Sequence, residues 1–290
     1  MATQNIISKS FEFYPPKSAA GMAALADTAV LLAKDNPDYF SVTFGAGGST
    51  QAGTIDTIKL LQKHTKISVA PHLSCVGLTK IQVANILQDY QQLGINRLVV
   101  LRGDLPSGMG AAGEFNYAYE LIEFIRATTN DYFHLEVAAY PEVHPQAKNA
   151  RADLLNLKRK FLTGANGAIT QYFFNIDAYF YFLDECAKEQ IFMPIVPGIM
   201  PITQFAKLAN FSARCGAEIP RWLAKRLENY ADDLESIKSF GLEVVHRLCE
   251  RLISGGAPGL HFYTLNQVEP SLKLAGLLKE NAVNNHRVLY

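Results

Sequence analysis

Along the chain, short runs of β-branched and aromatic residues alternate with longer segments whose apolar residues recur at helical spacing. Eight such runs stand out: SFEFY at 10–14, FSVTFG at 40–45, ISVAPHL at 67–73, RLVVLRG at 97–103, HLEVAAY at 134–140, AITQYFF at 168–174, MPIVPGI at 193–199 and LHFYTL at 260–265. Most are near-continuous apolar strings, as expected of parallel strands covered on both faces. Between them, Val83, Ile86, Leu87 and Tyr90 form one stripe at i, i+3, i+4 and i+7, and Ala118, Leu121, Ile122 and Ile125 repeat it. Gly94 stands where a C-terminal cap glycine belongs, and Asp177 where an N-cap would open AYFYFLDECAKEQ. Eight βα units predict a closed α/β structure, a (βα)8 or TIM barrel forming a single domain over residues 1–290, rather than an open doubly wound sheet. The long stretch before the eighth run, with RWLAKRLENYADDLESIK and GLEVVHRLCERLI, predicts extra helices between strands 7 and 8.

Composition narrows the partner. The 27 lysines and arginines balance the 27 aspartates and glutamates, so no net field draws the chain to nucleic acid or to an anionic membrane. A small molecule is the expected partner. Cys75, Cys186, Cys215 and Cys249 are scattered, with no C-x-x-C pair or metal-type spacing, which points to a reducing, cytoplasmic setting. MATQNIISKSFEF does not read as a signal peptide, and the apolar IFMPIVPGIMPI is too short and too broken by proline to span a bilayer.

A barrel carries its chemistry on the loops at the C-terminal ends of its strands. At those ends stand Glu12, Thr43, His72, Arg102 with Asp104, Tyr140 with Glu142 and His144, Gln171, and Tyr263 with Asn266. Taken locally, several have two readings. Glu12, between Phe11 and Phe13, is either a partly desolvated carboxyl with a raised pKa, suited to act as an acid, or a structural carboxylate paired with a base such as Arg102. His72 is a site residue or a hydrogen-bonded core histidine, and Asp104 faces a ligand or caps a loop. In ADLLNLKRKF, Asp153, Asn156 and Lys160 share one helix face with Arg159 adjacent, a set that suits ribose hydroxyls and a pyrophosphate. The G-x-G-x-x-G match GMGAAG at 108–113 lacks the strand and acidic context of a dinucleotide fingerprint and reads as a loop over the barrel mouth. GAGGST at 45–50 lacks a P-loop lysine and indicates only close backbone approach to a flat or anionic group. No metal-binding motif is present.

The strings SFEFYPPK, SVTFGAGGST, APHLSC, LRGDLP, AAYPEVHP, ADLLNLKRK, ITQYFF, PGIMPI and HFYTLN, in this order, together resemble the methylenetetrahydrofolate reductase family in its bacterial catalytic-domain form. The resemblance implies FAD at the barrel mouth and a hydride passed from NADH or NADPH through it to methylenetetrahydrofolate, a step that feeds methionine synthesis. It implies that Glu12 is the general acid and that Asp104, ionised, stabilises the folate cation and tunes the flavin. It places Thr43, His72, Arg102, Gly103, Asp104, Tyr140, His144, Asp153, Asn156, Arg159, Lys160 and Tyr263 around FAD, with Gln171 on the pterin and Phe211 stacking with substrate or nicotinamide. Gln267 stands where the family commonly has arginine, which weakens a charged contact to the folate glutamate tail, and Lys207 is a candidate to replace it. A homo-oligomer and the lack of an appended regulatory domain are further expectations of the resemblance. The competing readings are a flavin-free pterin or folate barrel methyltransferase and a catalytically silent folate-binding protein.

Overall fold

The computed structural model describes residues 7–44, 51–103 and 113–287. Strands β1 (Ser8–Phe13), β2 (Tyr39–Val42), β3 (Ser68–Ser74), β4 (Arg97–Leu101), β5 (His134–Ala139) and β6 (Gly167–Thr170) follow one another in the sheet, all parallel. Helices α1 (Ala19–Ala33), α2 (Gln51–His64), α3 (Lys80–Gln92), α4 (Ala118–Thr129) and α5 (Ala150–Leu162) connect them, and α6 (Ile176–Lys188) follows β6. The predicted stripes are the buried faces: Val83, Ile86, Leu87 and Tyr90 of α3, and Leu121, Ile122 and Ile125 of α4. Gly94, at φ +70°, ends α3 as expected. The cap of α6 is Asn175, whose side chain accepts from the Asp177 amide, so the N-cap expected at Asp177 lies two residues earlier.

The seventh run departs from a single strand. It splits into β7 (Ile195–Val196), which pairs with β6, and β8 (Gly198–Ile199), which pairs with β9 (Gly259–Tyr263). Pro197 between them has no N–H to give a ladder, yet its carbonyl accepts from the His261 amide at 3.0 Å. One short segment therefore serves both neighbours. Because β9 also pairs with β1, the sheet order β7-β6-β5-β4-β3-β2-β1-β9-β8 closes on itself as a TIM barrel. The Tyr263 hydroxyl crosses this seam to donate to the Thr170 carbonyl at 2.7 Å. Between β8 and β9 lie the expected extra helices, α7 (Phe205–Cys215), α8 (Arg221–Asn229) and α9 (Leu234–Ser254); α10 (Glu269–Arg287) ends the order.

Closure leaves no space beside Gly198. A Cβ there would sit 2.2 Å from the Thr170 carbonyl oxygen and 2.7 Å from the Tyr263 ring, and the backbone oxygen cannot swing away. Gly198→Ala is therefore expected to lower unfolding stability by about 1–3 kcal/mol, read as a drop in the denaturant midpoint; an unchanged midpoint would show that the seam relaxes freely.

Alternation along β1 and β9 sorts the barrel into two faces. Phe11, Phe40 and Phe262 pack together outside the sheet, Phe11 to Phe262 at 5.4 Å and Phe11 to Phe40 at 6.3 Å. Ser10, Glu12, His261 and Tyr263 take the other parity and point inward. Barrel interiors are usually filled by branched apolar side chains. Here the lumen carries titratable groups.

Candidate active site

Glu12 sits at the C-terminal end of β1 with its side chain 17% exposed. Its Oε2 lies 3.2 Å from His72 Nε2 on β3 and 3.5 Å from His261 Nε2 on β9. The His72 contact is close enough for ion pairing but poorly aimed, and His72 Nε2 makes no hydrogen bond within the protein. On the far side of the His261 ring, Nδ1 meets Ser10 Oγ at 2.7 Å. Burial alone would push the Glu12 pKa up. The charge of His72, followed by hydrogen bonding from His261, outweighs it and brings the carboxyl down to about 2. This corrects the expectation of a raised pKa and also the pairing with Arg102, whose guanidinium bonds Gln146 and the Gly103 carbonyl. The carboxyl at rest is an anion held by histidines, so acid chemistry here requires a proton to be brought to it.

At the C-terminal ends of β4 and β5, against α4 and α5, opens a cavity of about 270 Å³. Arg102, Gly103, Tyr140, His144, Asp153, Asn156 and Lys160 line it, so seven of the residues expected around a cofactor converge. The loop after β5 is shaped for this. Val143 is held at φ +69°, an uncommon conformation for a β-branched residue, and the next residue, His144, donates its backbone amide to Asp153 at 2.8 Å. The Tyr140 and His144 rings meet edge to face, 4.5 Å apart. On α5, Leu154 and Leu157 are buried while Asp153, Asn156 and Lys160 face the cavity, the two stripes read from the sequence. Lys160 Nζ donates to the Ala138 carbonyl at 2.5 Å, and burial lowers its pKa to about 8, against the opposing pull of Asp153. A half-buried ammonium whose charge is disfavoured gains from an anion placed beside it.

Other expected residues do not line this cavity. Arg159 is exposed, its guanidinium 6.0 Å from the Tyr119 ring. Thr43, at the end of β2, accepts through its carbonyl from Thr54. Gln171, after β6, is held by its backbone N–H, which donates to the Ala139 carbonyl at 2.8 Å. Tyr263 is tied to the seam. Phe211 on α7 is 44% exposed and stacks on Tyr172 at 5.9 Å, which in turn meets Tyr263 edge-on at 6.4 Å. Lys207, one turn before Phe211, and Gln267, after β9, are both exposed. Asp104 and most of the two glycine runs, 45–50 and 108–112, lie outside the described residues. His261 and Ser10 were not singled out from the sequence, although their parity with Glu12 and Tyr263 in alternating strands was the available signal. Among the described residues no cluster of histidine, cysteine, aspartate or glutamate could hold a metal, and no helix is long and apolar enough to cross a membrane.

A closed barrel with a carboxylate and two histidines in its cup, and with a cavity suited to an anionic ligand at the C-terminal ends of its strands, defines an enzyme of the TIM-barrel class. The profile of the methylenetetrahydrofolate reductase family matches residues 1–278, and the chain belongs to that family of oxidoreductases. It is 38% identical over 275 residues to 5,10-methylenetetrahydrofolate reductase of Escherichia coli K12, covering 95% of this chain and 92% of that one. It is 39% identical over 261 residues to the enzyme of the same name from Buchnera aphidicola subsp. Schizaphis graminum, covering 90% and 88%. A rice protein named probable methylenetetrahydrofolate reductase (NADH) is 32% identical over 291 residues, which cover 95% of this chain and 49% of the rice protein. Among solved structures, an uncharacterized protein from Clostridium thermocellum, described as binding two copies of 5-methyl-5,6,7,8-tetrahydrofolic acid, shares the fold. Its TM-score is 0.64 at 18% identity, covering 94% of this chain and 95% of that one.

Proposed function

We propose that the chain reduces 5,10-methylenetetrahydrofolate to 5-methyltetrahydrofolate with electrons from NADH or NADPH, using bound FAD, in two half-reactions that share one cup. The observation that carries this reading is that the Glu12–His72–His261 group and the cavity around Lys160 both belong to the C-terminal ends of the barrel strands. The donor set of that cavity fits part of FAD: Asp153 and Asn156 suit ribose hydroxyls, and Lys160 suits the pyrophosphate. At about 270 Å³ it takes a portion of a dinucleotide, the rest lying outside it. Bound FAD would accept a hydride from the nicotinamide and hand it to the folate methylene.

The chain's own residues handle the proton and the orientation. The methylene bridges two folate nitrogens, and protonation of one opens the ring to an iminium cation able to accept hydride. Glu12 supplies that proton, and the nearby histidines are the groups from which it draws one. His261 can donate to Glu12 through Nε2 while taking a proton at Nδ1 from Ser10. Asp104, next in the chain after the cavity residue Gly103, contributes a negative charge to the cation. Gln171 orients the pterin, Phe211 offers an exposed ring for stacking, and Lys207 attracts the folate glutamate tail in place of the arginine absent at Gln267. The rice relative's name favours NADH as the reductant. We place the enzyme in the cytoplasm, as a homo-oligomer supplying methyl groups for methionine synthesis.

The expected result for the purified protein is a flavin absorption spectrum that bleaches with NADH under anaerobic conditions and returns on adding methylenetetrahydrofolate. A colourless protein that binds folate and takes up no FAD would favour the flavin-free barrel instead.

A further inference from the structure

The lumen residues of this barrel do not stop at Glu12. Ser10 on β1 is in register with Tyr39 on β2 and with His261 on β9, so the three lie side by side on the inner face. The Tyr39 ring packs against the His261 ring, centroids 6.2 Å apart, although β1 separates their strands. Arg97 on β4 places its guanidinium 4.7 Å from the centre of the same Tyr39 ring, although β3 lies between. Such contacts between non-adjacent strands run through the interior. The Tyr39 hydroxyl interacts with Ser10 and feels the charge of Glu136 on β5, across the lumen.

Glu136 is 5% exposed and sits towards the N-terminal end of the barrel. Its Oε1 takes a hydrogen bond from Arg97 Nη1 at 2.7 Å and meets His134 Nε2 at 2.9 Å. Its Oε2 is buried with no protein partner, and Ser41 Oγ in the same lumen is likewise without one. Buried polar atoms of this kind are met by internal water. Space for Glu136 is built in, since a Cβ on Gly167 would lie 2.5 Å from Oε2. At the outer end, the His134 side chain is 40% exposed, and Arg97 and His134 border a cavity of about 360 Å³ open to solvent.

We infer that Glu136, Tyr39 and Ser10 form a proton path along the barrel axis, joining the solvent at His134 to His261 and Glu12, so that Glu12 is reprotonated from the end of the barrel opposite the substrate. The path gives the buried glutamate, the tyrosine and the water-contacting histidine one purpose. For each proton delivered, His134 or water protonates Glu136. Glu136 passes a proton through internal water to the Tyr39 oxygen as Tyr39 gives its own to Ser10. Ser10 protonates His261 Nδ1 as it receives that proton, and His261 releases the Nε2 proton to Glu12. One proton enters from bulk water and one resides on Glu12; the relay groups keep their charge, and His261 recovers its starting tautomer by exchange with internal water. No oxidant or reductant is involved. The inference rests on the acid role proposed for Glu12.

The test compares Tyr39→Phe, which removes one hydroxyl and keeps the ring, with Glu12→Gln in the FAD-loaded enzyme. Tyr39→Phe is expected to slow flavin reoxidation by methylenetetrahydrofolate about tenfold or more, to alter its solvent deuterium isotope effect, and to leave flavin reduction by NADH unchanged. With FAD and 5-methyltetrahydrofolate covering the mouth, exchange of the His261 ring proton with solvent, followed by ¹⁵N NMR, is expected to slow by a similar factor. Should Tyr39→Phe fail to fold, Glu136→Gln, which keeps an acceptor for Arg97, serves in the same measurements. Wild-type reoxidation, isotope effect and ring-proton exchange in these variants, with Glu12→Gln blocked, would overturn the path and leave the acid role standing. Normal reoxidation in Glu12→Gln would overturn both.

Discussion

Glu12→Gln is expected to slow reoxidation of the flavin by methylenetetrahydrofolate by about 10²–10⁴-fold, the usual contribution of a positioned general acid, while the rate of reduction by NADH is unchanged. Glutamine keeps the shape of the carboxyl and can still contact His72 and His261, but it has no proton of suitable acidity to give. The asymmetry is diagnostic because hydride transfer from a nicotinamide to a flavin needs no proton donor at the folate nitrogen. Rapid-mixing absorbance of each half-reaction measures it, and equal losses in both would assign Glu12 to binding or to structure instead. The depressed pKa adds a stability signature. A carboxyl held at about 2 in the fold, against 4.5 for the free group, stabilises the protein above pH 4.5 and loses that contribution as the pH falls towards 2. Glu12→Gln should therefore unfold more readily than wild type at neutral pH, with the difference closing in acid.

Lys160→Ala is expected to weaken FAD binding by about 10- to 150-fold, the equivalent of about 1.5–3 kcal/mol for hydrogen bonding to a charged group. The pH dependence separates this role from packing. Burial favours the neutral amine in the free protein, with a pKa of about 8, whereas a bound pyrophosphate favours the ammonium. FAD affinity in wild type should be at its fullest below pH 8 and fall as the pH rises through it; in Lys160→Ala that fall should vanish. Equilibrium dialysis across this range checks both statements, and unchanged FAD retention in the variant would remove Lys160 from the phosphate site.

Much of the architecture could be read from periodicity, because each helix buries one stripe and each strand run is short and bounded. The stripes of α3, α4 and α5 needed no tertiary information. The seventh strand did, since the consequence of Pro197 depends on which neighbours compete for its carbonyl and for the Gly198 segment. That certain residues share one cavity was legible where they lie on one helix or one loop, as with Asp153, Asn156 and Lys160. Arg159 lies on another face of α5 from Asp153, Asn156 and Lys160, because adjacency in sequence rotates a helical residue away from its neighbour, and it reaches only the ring of the cavity residue Tyr119. The state of Glu12 was misread for a different reason. Its flanking phenylalanines report desolvation, while the histidines that reverse the shift come from β3 and β9 and meet it only once the barrel closes.

The proposed chemistry requires one arrangement, in which Glu12 and the cavity around Lys160 serve a single cup at the C-terminal ends of the strands. Diffraction from crystals grown with FAD and 5-methyltetrahydrofolate tests it most directly. The expected density shows the FAD phosphates beside Lys160, and the flavin and pterin rings together over the cup with the Glu12 carboxyl in hydrogen-bonding reach of a folate nitrogen. Folate density at the other end of the barrel, or FAD away from Lys160 with Glu12 out of reach of either ring, would contradict it.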